Sequence, residues 1–197
     1  MQIRLAALAL LLLYSSPALA DACKDKFIAV LTNYTNTRAT VSQNTQQMKG
    51  AALNKSECLW AAPGHYLHKA TDPKGPWYLT YDGAMYQSDD EGKNWKKIRT
   101  FDKTQQQAGA DDNVKKQAAS ARNAQCGEDT LNGIKHETVE AETDLPNQKV
   151  RVHTKYWVNR ADKNFVTRAE TRMTGDGYEI FTTQLSKPEP SLKLPKP

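Results

Sequence analysis

The chain reads as an α+β protein: an antiparallel β-sheet with one buried and one wet face, an N-terminal helix and a mid-chain helical segment. Three observations predict it. Apolar and polar residues alternate along most of the chain, clearest after Pro76, where Trp77, Leu79 and Tyr81 project to one side and Tyr78, Thr80 and Asp82 to the other. The mean hydropathy of −0.73 is too polar for a thick core, but suffices for a sheet that needs apolar residues only at alternate positions. Between Thr104 and Gln125 the composition shifts to Gln, Ala, Lys and Asp, which is the composition of a surface helix, with Gly109 a point of interruption.

Taken in order, Asp21 to about Asn36 is predicted helical because Phe27, Val30, Leu31 and Tyr34 recur on one face. Arg38–Lys49 suits a solvent-facing strand. Glu57–Trp60 and Tyr66–Ala70 are short strands around the Pro63-Gly64 turn. Asp82-Gly83 is a hairpin signal, returning through Ala84–Ser88, and Asn94–Phe101 supplies another strand. Leu131–Thr143 is predicted as one strand. Val150, Val152, Thr154, Tyr156 and Val158 share a face of the next. Asn164–Thr174 and Tyr178–Leu185 complete the sheet across Gly175-Asp176-Gly177. The expected domain spans 21–186. The Pro- and Lys-rich tail 187–197 is expected to be extended.

Ahead of this domain, Arg4 precedes an apolar run from Leu5 to Tyr14, Pro17 breaks it, and Ala18-Leu19-Ala20 offers a small-x-small cleavage site before Asp21. That is the layout of a secretory signal peptide over residues 1–20, and the run is too short for a permanent membrane anchor. The expected location is therefore the periplasm, with no integral membrane segment left after cleavage. The formal charge of +5 falls by one with Arg4, and Lys and Arg alternate with acids throughout, so nucleic acid is not an expected partner. Three cysteines, Cys23, Cys58 and Cys126, suggest one disulfide and one spare thiol in an oxidising compartment, with all three pairings open. Ala20-Asp21-Ala22 departs from the Leu-small-small pattern that lipidation of Cys23 would need.

No catalytic set emerges. Ser88-Asp89-Asp90-Glu91-Gly92-Lys93-Asn94-Trp95 fits S-x-D-x-G-x-x-W and resembles the Asp-box turn of sialidase propellers. In such a turn the Asp carboxylate accepts backbone N–H bonds, Gly takes a positive φ and Trp covers the hairpin, so its role is structural. His65 and His68 would face opposite sides of a strand and could not share a metal ion. His136 and His153 sit among charged residues on predicted wet faces. The acidic pairs lie in turns or on polar faces, whereas acid–base work needs a carboxyl in an apolar pocket. Neither a G-x-S-x-G elbow nor a phosphate-cradling glycine loop is present. The expectation is a non-enzyme with no cofactor and no metal.

Aromatic residues remain: Trp60, Tyr66, Trp77, Tyr81, Tyr86, Trp95, Tyr156 and Trp157 all fall on predicted strands. They are either the core of a polar protein or, in part, the lining of a concave cavity.

Three segments carry a family resemblance. Pro76–Gly83, continued through Trp95-Lys96-Lys97, looks like successive strands ending in a Trp. Gly127-Glu128-Asp129-Thr130-Leu131-Asn132-Gly133-Ile134 is similar to a G-x-E-x-x-x-G strand start. Tyr156-Trp157-Val158-Asn159 through Arg168-Ala169-Glu170 is similar to a W-V-D…P-x-R-x-E hairpin, with Leu194-Pro195 as a terminal L-P. Together they resemble the superfamily of periplasmic lipoprotein carriers and LppX-type lipid-binding proteins. The resemblance implies a curved half-barrel, with the N-terminal helix and the mid-chain helical segment packed on or over its concave face. It also implies a lipid, an acyl chain or a lipid-modified protein as partner. The residues expected to line such a cavity are Trp77, Leu79 and Tyr81, with Trp60 and Tyr156 next. The alternative is a protein-interaction module, an envelope assembly factor or an inhibitor, with a filled core.

Overall fold

The computed structural model describes residues 17–33, 38–145 and 148–197, with side chains from residue 21 onward. The signal-peptide run through residue 16 and the expected helical position of Tyr34 lie outside the described residues. Helix α1 (Pro17–Asn33) is followed by β1 (Thr40–Met48), β2 (Leu53–Ala62), β3 (His65–Asp72), β4 (Lys74–Tyr81), β5 (Ala84–Ser88) and β6 (Lys96–Thr100). Helix α2 (Lys103–Ala119) leads to β7 (Arg122–Leu131), β8 (Ile134–Asp144) and β9 (Arg151–Asn159). A 3-10 turn (Arg160–Asp162), β10 (Phe165–Gly175) and β11 (Tyr178–Pro188) complete the chain.

The eleven strands make one open antiparallel sheet in the order β6-β5-β4-β3-β2-β1-β11-β10-β9-β8-β7. Two meanders, β1 to β6 and β7 to β11, join where β1 pairs β11, with Ser42 opposite Ser186. This is the curved half-barrel of an α+β fold. Since β6 and β7 are the two sheet edges, α2 is the connection that returns the chain from one edge to the other. Asp102 caps it by accepting from the Gln105 N–H at 2.9 Å.

Register assigns the two faces. Thr40, Ser42, Cys58 and Trp60 share one face of β1 and β2, and Gln184 and Ser186 continue it on β11. Ala169, Tyr156 and Val139 carry it across β10, β9 and β8 to Cys126 on β7. This is the concave face, and α1 packs on its β7–β8 end. Phe27 enters the core formed by Val139, Ala141, Tyr156, Val158, Val166 and Ala169. Its ring centroid lies 5.7 Å from that of Tyr156. Cys23 on the same helix is joined to Cys126, with 5.5 Å between the Cα atoms, which leaves Cys58 as the free thiol.

Several elements depart from expectation. The mid-chain helix ends at Ala119 rather than Gln125. Ser120 closes it by donating to the Gln117 carbonyl at 2.7 Å while accepting from the Asp144 N–H at 2.8 Å. Arg122, paired with Asp144, already belongs to the sheet. Gly109 does not interrupt the helix. The stretch expected as one strand from Leu131 to Thr143 begins on β7 and turns at Asn132-Gly133, where φ is 51° and 78°. Such a turn suits a two-residue hairpin, and the Asn-Gly pair was its signal. His136, expected on a wet face, is buried, with Nδ1 2.9 Å from the Ile134 carbonyl oxygen. The sheet also runs past 186, since β11 continues to Pro188 and Glu189 donates its N–H to Ala39 at 2.8 Å.

Candidate functional site: a cavity under α1

α1 covers the β7–β8 end of the concave face and leaves the β1, β2 and β11 end uncovered. The space so formed is a cavity of about 830 Å³. One wall is a helical stripe, Lys26, Ala29, Val30 and Asn33, whose spacing puts all four on one side of α1. The floor is apolar: Val139 of β8, Val158 of β9, and Phe165 and Val166 of β10. The far wall is Thr40, Ser42, Cys58 and Trp60, with Gln184 and Ser186. Small side chains at Ala29, Ser42 and Ser186 leave the volume open.

The polar groups of the far wall are mutually satisfied. Ser42 and Ser186 hydroxyls are 2.9 Å apart, and the Gln184 amide donates to each at 3.1 Å. Hydroxyls bonded to one another can sit beneath an apolar chain with little desolvation cost. Burial, and then the neighbouring Glu57 carboxylate, push the Cys58 thiol up from its ordinary value. It is therefore neutral at pH 7 and behaves as a small hydrophobe rather than a nucleophile.

Charge gathers at one corner. Glu137 accepts from Lys26 of α1, and from Arg160 of the 3-10 turn through Nε at 2.7 Å. Burial pushes the Glu137 carboxyl up, but these two cations together outweigh it and hold the group below the usual carboxylate range. Arg38 donates to the Asp162 carboxylate and carbonyl, both at 2.8 Å, and its guanidinium lies 4.8 Å from the Phe165 ring centroid. Lys163 follows in a left-handed conformation with φ 52° and is exposed.

Of the residues expected to line a cavity, Trp60 stands in its wall. Tyr156 is on the concave face but buried beneath Phe27, in the core rather than the lining. Trp77, Leu79 and Tyr81 lie on the opposite face of the sheet, because β4 pairs Tyr78 and Thr80, not these three, with the concave-face residues His68 and Tyr66 of β3. There Leu79 pairs Leu67, and both are fully buried. Tyr81 stacks on His65 at 4.8 Å, and Trp77 sits under the Lys69 ammonium at 4.9 Å. Sequence alternation grouped the three correctly but could not say which face curves inward. The charged corner went unmarked because its members are scattered between Lys26 and Lys163.

The remaining motifs are structural. In the Asp-box segment, Asp90 accepts from the Asn94 N–H at 2.9 Å and from the Ser88 hydroxyl at 2.7 Å. Gly92 has φ 89°, and a Cβ there would meet the Trp77 and Trp95 rings at 3.2–3.3 Å. His65 and His68 fall on opposite faces, and no metal-binding cluster of His, Cys, Asp or Glu occurs among the described residues. Trp157, Arg168 and Glu170 form a lattice on the outer face. Trp157 donates to Asp129 at 2.8 Å and lies under Arg168 at 4.8 Å, while Arg168 pairs with Glu170.

The chain is similar to a solved LolA superfamily protein from Nitrosomonas europaea, at 8% identity and a TM-score of 0.33, over 90% of this chain and 95% of that one. The superposition is loose, and the half-barrel is defined here by the chain's own strand order. No protein-family profile and no curated protein matches the sequence. Among the described residues, no helix is long and apolar enough to cross a membrane.

Proposed function

We propose that the protein is a non-enzymatic binding protein of the cell envelope, which holds a lipid, an acyl chain or the lipid of a modified protein between α1 and the concave sheet face. One observation carries this reading: a cavity of about 830 Å³ with a floor of Val139, Val158, Phe165 and Val166. That volume lies in the range of small-molecule sites, roughly 300–1,000 Å³. Binding would draw on desolvation of the chain, about 0.8 kcal/mol per buried CH₂. The interaction-module alternative called for a filled core, and the open cavity weighs against it. Export is supported by the leader pattern of residues 1–20 and by the Cys23–Cys126 disulfide, a bond suited to an oxidising compartment.

A fluorescent fatty-acid titration tests the reading. Saturable binding at or below the order of tens of micromolar is expected. Ala29→Trp, which projects an indole into the cavity from an exposed helical position, should weaken it at least several-fold while leaving the unfolding midpoint nearly unchanged. Absence of any binding by the unaltered protein would sink the proposal.

A further inference from the structure

The charges lining the cavity are not spread around its rim. They converge where α1 faces the 3-10 turn, tied together by Lys26 and Arg160 on Glu137 and by Arg38 on Asp162. Four cations, Lys26, Arg38, Arg160 and Lys163, stand there against three carboxylates, Glu137, Asp162 and Glu128, the last opposite Glu137 on β7 and acting on Arg160. The far wall offers hydroxyls, an amide, an indole and a neutral thiol, but no charge. Glu137 is already compensated by two cations, so the corner keeps a positive excess. Arg38 is held in place by Asp162 and by the Phe165 ring, and a guanidinium carries five N–H donors, of which Asp162 takes two. Lys163 has no ion pair among the described residues.

A chain lying on the apolar floor therefore has one charged corner available to it, and that corner carries a net positive charge. We infer that the cavity selects amphiphiles with an anionic headgroup, a carboxylate or a phosphate, met by Arg38, Arg160 and Lys163. The inference rests on the cavity being an acyl-chain site and names the class of chain it prefers. Charge-assisted bonds from arginine to carboxylate or phosphate are short and directional, whereas a neutral alcohol headgroup would gain no such bond and would leave Lys163 without an ion pair.

The test compares dodecanoic acid, dodecyl phosphate and dodecanol as displacers of one uncharged fluorescent lipid probe at pH 8 and low salt, with inorganic phosphate alone as a further arm. The two anionic amphiphiles are expected to displace the probe at concentrations about fivefold or more below dodecanol, as a single well-placed charge allows. Lys163→Gln and Arg160→Gln should each narrow that ratio, and so should added salt, which screens exposed charges beyond about 10 Å at 0.1 M. Lys163→Gln removes no ion pair, so it keeps the test valid should Arg160→Gln destabilise the turn. Equal displacement by all three amphiphiles would overturn headgroup selection and leave the acyl-chain reading standing. Failure of the probe to bind would overturn both. Displacement by inorganic phosphate as effective as by dodecyl phosphate would also overturn it, since the corner would then be a site for the free anion.

Discussion

Phe27 and Asp90 show how single residues support this fold by different means. Phe27 is the main apolar anchor of α1, buried against Tyr156 and the valines of β8 and β9. Truncation to Ala leaves a cavity the sheet cannot collapse to fill, and Phe27→Ala is expected to cost about 3–5 kcal/mol in denaturant unfolding. Asp90 is half-buried and acts through hydrogen bonds: the Asn94 N–H, the Asn94 amide and the Ser88 hydroxyl push its carboxyl down to about 2. Because its folded value is depressed, its contribution to the β5–β6 turn is complete above the ordinary carboxylate range and is lost as pH falls through about 2. A carboxyl-carbon titration by NMR should give that midpoint, and Asp90→Asn should abolish the acid-dependent loosening of the turn. The Asp-box segment was legible in the sequence because every contact within it is local. The burial of His136 was not legible, because alternation along a strand assigns residues to faces but not how deeply each face is covered.

At the scale of elements, α1 depends on its attachment more than on its own helicity. Helices in proteins take most of their stability from tertiary packing, and three features fix this one: Phe27 in the core, Lys26 on Glu137 and Cys23 on Cys126. The disulfide joins residues 103 apart, and loss of a native bridge typically costs about 2–5 kcal/mol. The double variant Cys23→Ser with Cys126→Ser should lose stability in that range. It should also bind the fluorescent fatty acid more weakly, because the wall of the cavity is released. A reducing agent should reproduce both effects in the unaltered protein and neither in the variant. The sheet edges are handled differently from each other: β7 is held by α1, while β6 is exposed throughout and carries Lys96, Lys97 and Arg99, charges that discourage pairing with another chain. The helix limits and the Asn132-Gly133 hairpin show where sequence patterning fell short. Residues 122–125 have helical composition, but pairing with β8 and the bond at Cys126 draw them into the sheet.

Over the whole molecule, two meanders meet at β1 and β11, and α2 returns the chain between the free edges, so the cavity is assembled from segments as far apart as Lys26 and Ser186. The sequence by itself determined the α+β class, most strand positions, most of the turns and which residues share a face. These depend on the twofold period of a strand and on local turn chemistry, both properties of neighbouring residues. Only the tertiary structure decided which face is concave, which cysteines join and where charge collects. A period of two divides a strand into two faces without saying which one turns inward. That choice is made by the long-range landing of α1, and it sets Trp60 in the wall of the cavity while sending Trp77, Leu79 and Tyr81 to the other side of the sheet.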